Sequence, residues 1–391
     1  MRKLQDLNVR GQRVFLRADL NVPLSTEGGV ADATRIRAVL PTIQWLREHG
    51  PERVLIASHL GRPQRPEPRW SLRPVCEVLA RLLDAPVELL PVDLKEAREG
   101  AEDAASGALL MLENTRFYPG ETRNAPDLAS ELAGFADVFV QDAFGAVHRA
   151  HASTSGVPSL LPSAAGLLLQ REIAALGGLL GAPARPFTAV LGGAKVSDKI
   201  GLIENLLPKV DRILIGGAMA NTFLLSQGHP MGSSLVEEDS AQVAADLLEG
   251  EWREKIELPV DFVAGPNLDE PDAATVVSGR DVPEDLAAYD IGPETVRRYS
   301  ERIGESATVF WNGPMGVFEV ERFAQGTYAL AAAVAGAEVY TVVGGGDSVA
   351  ALVRSGYAAH VDHISTGGGA SLEFLEGQAL PGVRVLEEQH A

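Results

Sequence analysis

Short apolar runs alternate with longer segments of helical periodicity through the first half of the chain. Runs rich in aliphatic and β-branched residues predict buried strands at 14–19, 54–58, 108–113 and 137–142. Between the first two runs, apolar residues spaced three and four apart over 35–50 predict an amphipathic helix that ends at Gly50. Because the predicted strands alternate with helices, this half is expected to form a parallel, doubly wound α/β sheet.

The same alternation restarts after an interruption in the middle of the chain. A leucine- and alanine-rich segment at 163–181 predicts one long helix, and a glycine- and proline-rich stretch at 181–186 follows it. Further strands are predicted at 188–191, 212–215, 258–263 and 308–311, with a helix from Val196 onward. At 391 residues the chain is long for a single core. We therefore predict two such α/β domains, 1–170 and 171–377, and a final segment, 378–391, too short to form a core alone.

Two strand–GGG–helix units lie near the end of the chain, at 339–352 and 363–374. In the first, Asp347 or Ser348 is predicted to cap a helix that begins at Val349. Helix N-termini carry unpaired N–H groups and a partial positive charge, so both turns are candidate phosphate sites. An ordinary strand-to-helix turn would have the same sequence. Two such units in succession nevertheless place two helix N-termini at the sheet edge where open α/β sheets bind ligands.

Basic residues follow the predicted strands of the first half. Arginine binds phosphate or carboxylate through two parallel hydrogen bonds, so several converging arginines favour a polyanion. Taken singly, each of these arginines is more typical of a surface salt bridge. The set consists of Arg35, His59, Arg62, Arg116, His148 and Arg149. His148 and His151 have a spacing found in metal pairs, but no third ligand accompanies them, which favours a structural role.

The second half carries two further candidate motifs. Lys195 and Lys199 follow a Gly-Gly turn four residues apart, which on a helix would place both on one face. They are interpreted as phosphate contacts, although two solvated lysines would look the same. The turn at 311–319, from Trp311 to Glu319, suits either a nucleoside pocket or a buried aromatic turn. Neither GxxxxGK[ST] nor a GxGxxG after the first strand is present, which argues against Walker-type and dinucleotide-binding sites.

Composition narrows the class of partner. The net charge of −19 argues against nucleic acid and anionic membranes as partners. Residues 1–170 hold 19 basic and 21 acidic residues, whereas 171–391 hold 15 and 32, so the acidity lies almost entirely in the second half. A single cysteine, Cys76, fits a reducing compartment, and neither a signal peptide nor a membrane span is predicted. A cytoplasmic protein is therefore expected.

Nine runs carry a resemblance to a known family. They are RADLNVP (17–23), SHLGRP (58–63), LENTRFYPGE (112–121), DAFGAVHRAHAST (142–154), GGAKVSDKI (192–200), DIGPET (290–295), WNGPMGVFE (311–319), GGGDS (344–348) and STGGGAS (365–371). In this order and combination they closely resemble phosphoglycerate kinases. The departures are Ala18 in place of the usual valine, and Gly-Ala-Val at 145–147 where Gly-Thr-Ala is common. Neither departure removes a charged group.

The resemblance implies reversible transfer of the acyl phosphate of 1,3-bisphosphoglycerate to MgADP, giving 3-phosphoglycerate and ATP. It implies a glycerate site made of Asp19, Asn21, Arg35, His59, Arg62, Arg116 and Arg149. It implies a nucleotide site made of Lys199, Gly292, Asn312, Glu319, Gly345, Gly346, Asp347 and Ser348, with Asp347 as the Mg²⁺ ligand. The catalytic groups would be Arg35, Lys195, Lys199, Gly346 and Gly368.

The resemblance also implies how the domains are used. The family suggests a monomer that closes about a helical hinge for in-line transfer, with the tail, 378–391, returning to the first domain. Two other classes are compatible with this architecture: a ligase or dehydrogenase, and a non-catalytic nucleotide sensor. The missing Walker and Rossmann glycines argue against the first class. Retention of Arg35, Lys199 and Asp347 argues against the second.

Overall fold

The computed structural model of the protein describes residues 1–389, which divide into two compact units. The first unit comprises Met1–Ala174 together with the segment that begins at Ala379, and the second comprises Ala175–Gln378. The chain therefore leaves the first unit, builds the second, and ends in the first.

The first unit is built on a parallel sheet with helices between its strands. Its strands are β1 Arg13–Ala18, β2 Arg53–Ala57, β3 Glu88–Leu89, β4 Ala108–Met111, β5 Val138–Asp142 and β6 Ser163–Ala165. Its helices are α1 Thr34–Glu48, α2 Arg73–Leu83, α3 Leu94–Asp103, α4 Pro126–Ala133 and α5 Val157–Leu160, and α6 Leu167–Leu180 crosses into the second unit. The strand order is β3-β4-β2-β1-β5-β6, and every pair is parallel.

Both faces of this sheet are covered, as the continuous apolar runs require. Along β1, Val14 and Leu16 belong to one hydrophobic cluster, whereas Phe15 belongs to another and stacks on Phe139 at 5.6 Å between ring centroids. Successive side chains of a strand point to opposite faces, so the two clusters lie on opposite sides of the sheet. Arg17 continues this strand and is also fully buried.

The segment predicted as one helix from 163 is instead a strand followed by a helix. Ser163–Ala165 forms the edge strand β6, and α6 begins only at Leu167. Asp142, at the end of β5, explains the break. Its Oδ1 accepts hydrogen bonds from the backbone N–H groups of Leu168 and Leu169, which fixes the start of the helix.

The second unit contains two sheets. Its strands are β7 Phe187–Leu191, β8 Arg212–Ile215, β9 Ile256–Glu257, β10 Asp261–Gly265, β11 Thr275–Ser278, β12 Ala287–Ile291, β13 Thr308–Asn312, β14 Tyr340–Gly344 and β15 His363–Ile364. Its helices are α7 Ile200–Leu206, α8 Gly217–Ser226, α9 Ala241–Glu249, α10 Pro293–Gly304, α11 Gln325–Gly336, α12 Gly346–Arg354 and α13 Gly369–Leu375. A parallel sheet has the order β15-β14-β13-β7-β8-β9, and a smaller antiparallel sheet has the order β11-β10-β12.

Two predicted elements of this unit differ from the structure. The run at 258–263 is not one strand, because it passes through Pro259, which has no N–H for a ladder, between β9 and β10. The helix expected from Val196 begins only at Ile200. The preceding residues form a turn in which both the backbone N–H and the hydroxyl of Ser197 donate to Glu237. The last helix, α14 Pro381–Glu388, packs on the first unit.

Candidate active site

The first part of the candidate site lies where β1, β2, β4 and β5 end. Arg35, in the first turn of α1, donates from Nη1 to Asp19 Oδ2 at 2.9 Å and to the carbonyl of Asn21 at 3.2 Å. The side chain of Asn21 accepts from the N–H of Gly61 at 2.8 Å. These contacts join the segment after β1 to α1 and to the loop after β2, so three predicted site residues are assembled together.

Arg116 extends this cluster from the short 3-10 turn Thr115–Phe117 after β4. One of its Nη atoms donates to the carbonyl of Gly61, while its buried Nε has no hydrogen-bond partner among the described residues. Burial, together with the guanidinium groups of Arg149, Arg17 and Arg62, lowers the pKa of Arg116. A partly buried cation surrounded by cations is a site that favours an anion.

Two further predicted cations lie at the surface of the same edge, whereas His59 is buried. Arg62 and Arg149 are exposed, and Arg149 Nε donates to His148 Nε2 at 3.0 Å. His151 is buried, and burial with three nearby arginines lowers its pKa to about 4. Within residues 1–389, no group of three or more His, Cys, Asp or Glu side chains is arranged to hold a metal ion.

Three polar residues of this region were not predicted as site residues. Arg17 is 0% exposed and donates from Nε to Ser153 Oγ at 2.8 Å. Its Nη2 lies 3.3 Å from His59 Nδ1. Glu121, 1% exposed, accepts from the hydroxyl and the N–H of Ser153. An arginine inside an otherwise apolar strand was the signal available for Arg17. Glu121 and Ser153 lie in the runs 112–121 and 142–154, but no residue pattern marks either as a partner of Arg17.

The second part of the candidate site is formed by three glycine-containing turns that follow β7, β8 and β13. Gly192 N–H donates to the carbonyl of Asn312, Gly193 N–H to that of Pro314, and Gly217 N–H to that of Met315. Gly313 has φ +101°, and a Cβ there would lie 2.2 Å from the carbonyl oxygen of Gly192. Only glycine permits backbone to approach backbone this closely.

Two predicted nucleotide residues, Asn312 and Ser348, are buried beneath these turns. Asn312 Nδ2 donates to the carbonyl of Gly344, and Ser348 Oγ accepts from the N–H of Gly313. The predicted cap of this helix is wrong, because α12 begins at Gly346 rather than Val349 and its N-cap is Gly345, at φ +90°. Ser348 is inside the helix, and its hydroxyl stabilises the neighbouring turn instead.

The charged residues of this part are more exposed. Asp347, in the first turn of α12, and Glu319 are both exposed. Lys199 is partly buried, and burial lowers its pKa to about 8 against the opposing influence of Asp198, Asp347 and Glu376. Lys195 is exposed and lies in the turn before α7, so the two lysines do not share a helix face as predicted.

Two glycines complete the predicted set. Gly292 is the N-cap of α10 and is buried against Asp261, whose carboxylate accepts from Glu294 N–H and Thr295 N–H. Gly368 is the N-cap of α13, at φ +54°. The backbone N–H groups that follow Gly345 and Gly368 open helices at the end of β14 and after β15, where parallel sheets bind ligands.

A family model described as phosphoglycerate kinase matches residues 4–378 of this chain. The chain belongs to the phosphoglycerate kinase family. A phosphoglycerate kinase of Desulforudis audaxviator is 50% identical over 389 residues, and one of Moorella thermoacetica is 52% identical over 390; each alignment covers 99% of both chains. The predicted membership is therefore confirmed.

Solved structures of the family agree with the fold. The phosphoglycerate kinase of Coxiella burnetii superposes with a TM-score of 0.91 at 42% identity, covering 100% of this chain and 99% of the other. That of Pyrococcus horikoshii gives a TM-score of 0.86 at 34% identity, covering 99% and 98%. The predicted α/β class with two parallel sheets is confirmed. In the part of the chain that the structure describes, no helix has both the length and the apolar character needed to cross a bilayer.

Proposed function

We propose that this protein is a cytoplasmic, monomeric phosphoglycerate kinase that transfers the acyl phosphate of 1,3-bisphosphoglycerate to MgADP, reversibly. The observation that carries this proposal is the cationic cluster at the end of the first sheet. Arg17, Arg35 and Arg116 lie close enough to His59 that each lowers the pKa of its imidazole, in addition to the effect of burial. Such a concentration of positive charge is stabilised by a small polyanion such as 3-phosphoglycerate.

In this proposal the first unit binds the glycerate ligand. Asp19 holds Arg35 and Asn21, whereas His59, Arg62, Arg116 and Arg149 supply donors to the carboxylate and the retained phosphate. Arg35 faces the phosphoryl group that moves. Its guanidinium is already oriented by Asp19, so it need not reorganise as charge develops on the transferring oxygens.

The second unit binds the nucleotide. Lys195, Lys199 and the N–H groups near Gly346 and Gly368 neutralise the phosphates, while Gly292 and Glu319 border the nucleoside. The P–O bond to the acyl oxygen breaks as a bond forms to a β-phosphate oxygen of ADP. That oxygen is already ionised, so no side chain has to act as a general base.

A magnesium ion fits the donors that the nucleotide site offers. Asp347 is an exposed carboxylate, and Mg²⁺ is commonly held by one or two carboxylates together with substrate phosphates. Asp347 would therefore hold the ion, which neutralises part of the phosphate charge when bound. Because the two ligands bind to residues of different units, transfer requires the units to approach, which supports closure of the hinge.

The decisive experiment is a coupled assay with the purified protein. ATP formation should require both 1,3-bisphosphoglycerate and ADP, and the reverse reaction should require 3-phosphoglycerate and ATP. Sedimentation of the same sample should give one species of about the 41.5 kDa chain mass. Binding of ADP without any transfer would instead support a non-catalytic nucleotide sensor.

A further inference from the structure

Four buried polar side chains form a continuous relay behind the glycerate site. Glu121 accepts from the hydroxyl of Ser153 at 2.6 Å, and Ser153 Oγ accepts from Arg17 Nε at 2.8 Å. Arg17 Nη2 lies 3.3 Å from His59 Nδ1. All four residues are buried, and His59, at 7%, is the most exposed. The relay thus ends at the one member that reaches solvent.

The chemistry of arginine settles the proton positions on the ring. A guanidinium has only donors, so in its contact with Arg17 the Nδ1 atom of His59 must be the acceptor. Nδ1 is therefore unprotonated, and in the neutral ring the proton is on Nε2. Among residues 1–389 the imidazole makes no other hydrogen bond, so Nε2–H remains available to a ligand.

We propose that Glu121, Ser153 and Arg17 are positioning residues that hold His59 in its Nε2–H tautomer, so that it donates to the carboxylate or phosphate of bound glycerate. This inference rests on the proposed function, because it names how one residue of that site is oriented. Arg17 acts through His59 and need not contact the substrate.

The positive charge of Arg17 is only partly offset by carboxylates of the protein. Glu121 and Asp19 oppose the effect of burial on the buried guanidinium of Arg17. Burial and the charges of Arg17, Arg116, Arg35 and His151 keep the pKa of His59 well below its ordinary value. The imidazole is therefore a neutral donor at the pH of the cytoplasm, and its hydrogen bond to glycerate does not weaken as pH rises.

A double-mutant cycle tests the coupling between Arg17 and His59. Arg17→Lys keeps the positive charge but places all its donors on one nitrogen, whereas Arg17 contacts Ser153 and His59 through two separate nitrogens. It should raise KM for 3-phosphoglycerate about tenfold, the effect of losing one hydrogen bond to a charged ligand, with kcat within about twofold. His59→Ala should have a similar effect. If Arg17 acts through His59, the double variant should be no more than about twofold worse than His59→Ala. If the increases in KM of the two single variants instead multiply in the double variant, the proposal is overturned.

The middle of the relay supplies a matched pair of serine variants. Ser153→Ala removes the bridge between Glu121 and Arg17 and should raise KM for 3-phosphoglycerate about threefold to tenfold. Ser155→Ala is the control, because the buried hydroxyl of Ser155 has no hydrogen-bond partner in the described chain. Ser155→Ala should leave KM for 3-phosphoglycerate unchanged, and neither serine variant should change KM for ADP. An equal effect of the two serine variants would contradict the relay.

The tautomer can be observed directly in the wild-type protein, even if Arg17→Lys does not fold. Nitrogen-15 spectra of histidine-labelled protein should show a pyridine-like Nδ1 and a pyrrole-like Nε2 for His59, assigned by its loss in His59→Ala, from about pH 5.5 to 8. A protonated Nδ1 at neutral pH would overturn the inference. This readout does not require turnover, so its failure is distinguishable from a wild-type protein that forms no ATP.

Discussion

The two halves of the candidate site are built from different parts of the polypeptide. In the first unit, the contacts come from side chains: Arg35 is held by Asp19, and Arg116 reaches into the same cluster. In the second, the turns that contain Gly193, Gly217 and Gly313 bond to one another through main-chain groups. A side-chain site depends on charge and rotamer, whereas a main-chain site depends on the absence of Cβ atoms.

The difference between the two halves of the site matches the distribution of charged residues along the sequence. The first 170 residues are nearly balanced, with 19 basic and 21 acidic residues, and they can concentrate arginine at one edge. The remaining residues hold 15 basic and 32 acidic residues. Oriented N–H groups at helix starts attract phosphate without adding a formal charge, which suits the acidic half. The two units should therefore respond to different kinds of substitution.

The largest effect is expected from Arg35→Ala in the side-chain site. The contact of Arg35 with the transferring phosphoryl group should strengthen as charge develops on that group. Its loss should therefore lower kcat by roughly 10²–10³-fold. Steady-state kinetics with both substrates saturating measures this. Arg116→Ala is the matched control, because Arg116 is proposed to contact the phosphate that stays, so its loss should act mainly on KM for 3-phosphoglycerate. If Arg35→Ala keeps kcat within a few-fold, the transition-state charge must be carried by Lys199 and the helix starts.

Adding a single methyl group at Gly313 should disrupt the main-chain site. Gly313→Ala would place a Cβ 2.2 Å from the carbonyl oxygen of Gly192 in a residue at φ +101°. The strain and overpacking together should lower the free energy of unfolding by about 2–3 kcal/mol and weaken ADP binding. Urea denaturation and ADP titration report the two effects.

Gly304→Ala is the control for this substitution. It lies at the end of α10 in the same unit, with nothing within 4 Å of the added Cβ, and should leave both quantities unchanged or slightly improved. Equal stability of the two variants would show that the turns do not depend on close main-chain contact.

Lys199 should make the second site respond to pH. Its folded-state pKa of about 8 lies below the ordinary lysine value, so the ligand-free protein loses this charge as pH rises through about 8. Bound phosphate favours the charged form. ADP affinity should therefore be full below pH 8 and fall by up to about tenfold per pH unit above it. Calorimetric titration with ADP from pH 6.5 to 9.5 tests this. Lys199→Met should bind ADP more weakly than the wild-type protein, and its affinity should not change with pH.

The smallest effect is expected for Glu319→Ala. The exposed carboxylate is predicted to hydrogen-bond the nucleoside, and its removal should weaken ADP binding several-fold, about 1 kcal/mol. Affinity for 3-phosphoglycerate should stay the same, since that ligand is proposed to bind the other unit. An equal loss for both ligands in calorimetry would count against separate sites.

Periodicity predicted most of the fold, and its failures have local causes. The buried runs at 54–58 and 137–142 became β2 and β5 because apolar β-branched segments suit a parallel sheet covered on both faces. The start of α6 was missed because it depends on Asp142, a residue distant in sequence from the helix it caps. The antiparallel sheet around β10 was missed because β11 is largely exposed and lacks a continuous apolar run.

The candidate site was predictable where residue type alone indicates chemistry. Arginines and glycines at strand ends were recognised, and the resemblance assigned them to ligands. The relay through Glu121 and Ser153 was not predicted, because a buried carboxylate and a serine have no spacing that reveals their partner. The hydroxyl of Ser348 was expected at a helix cap, yet it bonds Gly313, 35 residues away. Such contacts depend on tertiary structure, which a local pattern does not encode.

The end of the chain has a consequence for synthesis on the ribosome. Gly382 N–H donates to the carbonyl of Val147, and Gln389 accepts from Ser163 N–H, so α14 completes a unit whose other residues were made much earlier. The second unit is continuous and emerges whole before that helix does. The first unit is therefore incomplete until α14 has been synthesised. Val147 lies in the loop that carries Arg149, so the predicted glycerate site is supported by a helix that is made after the whole second unit.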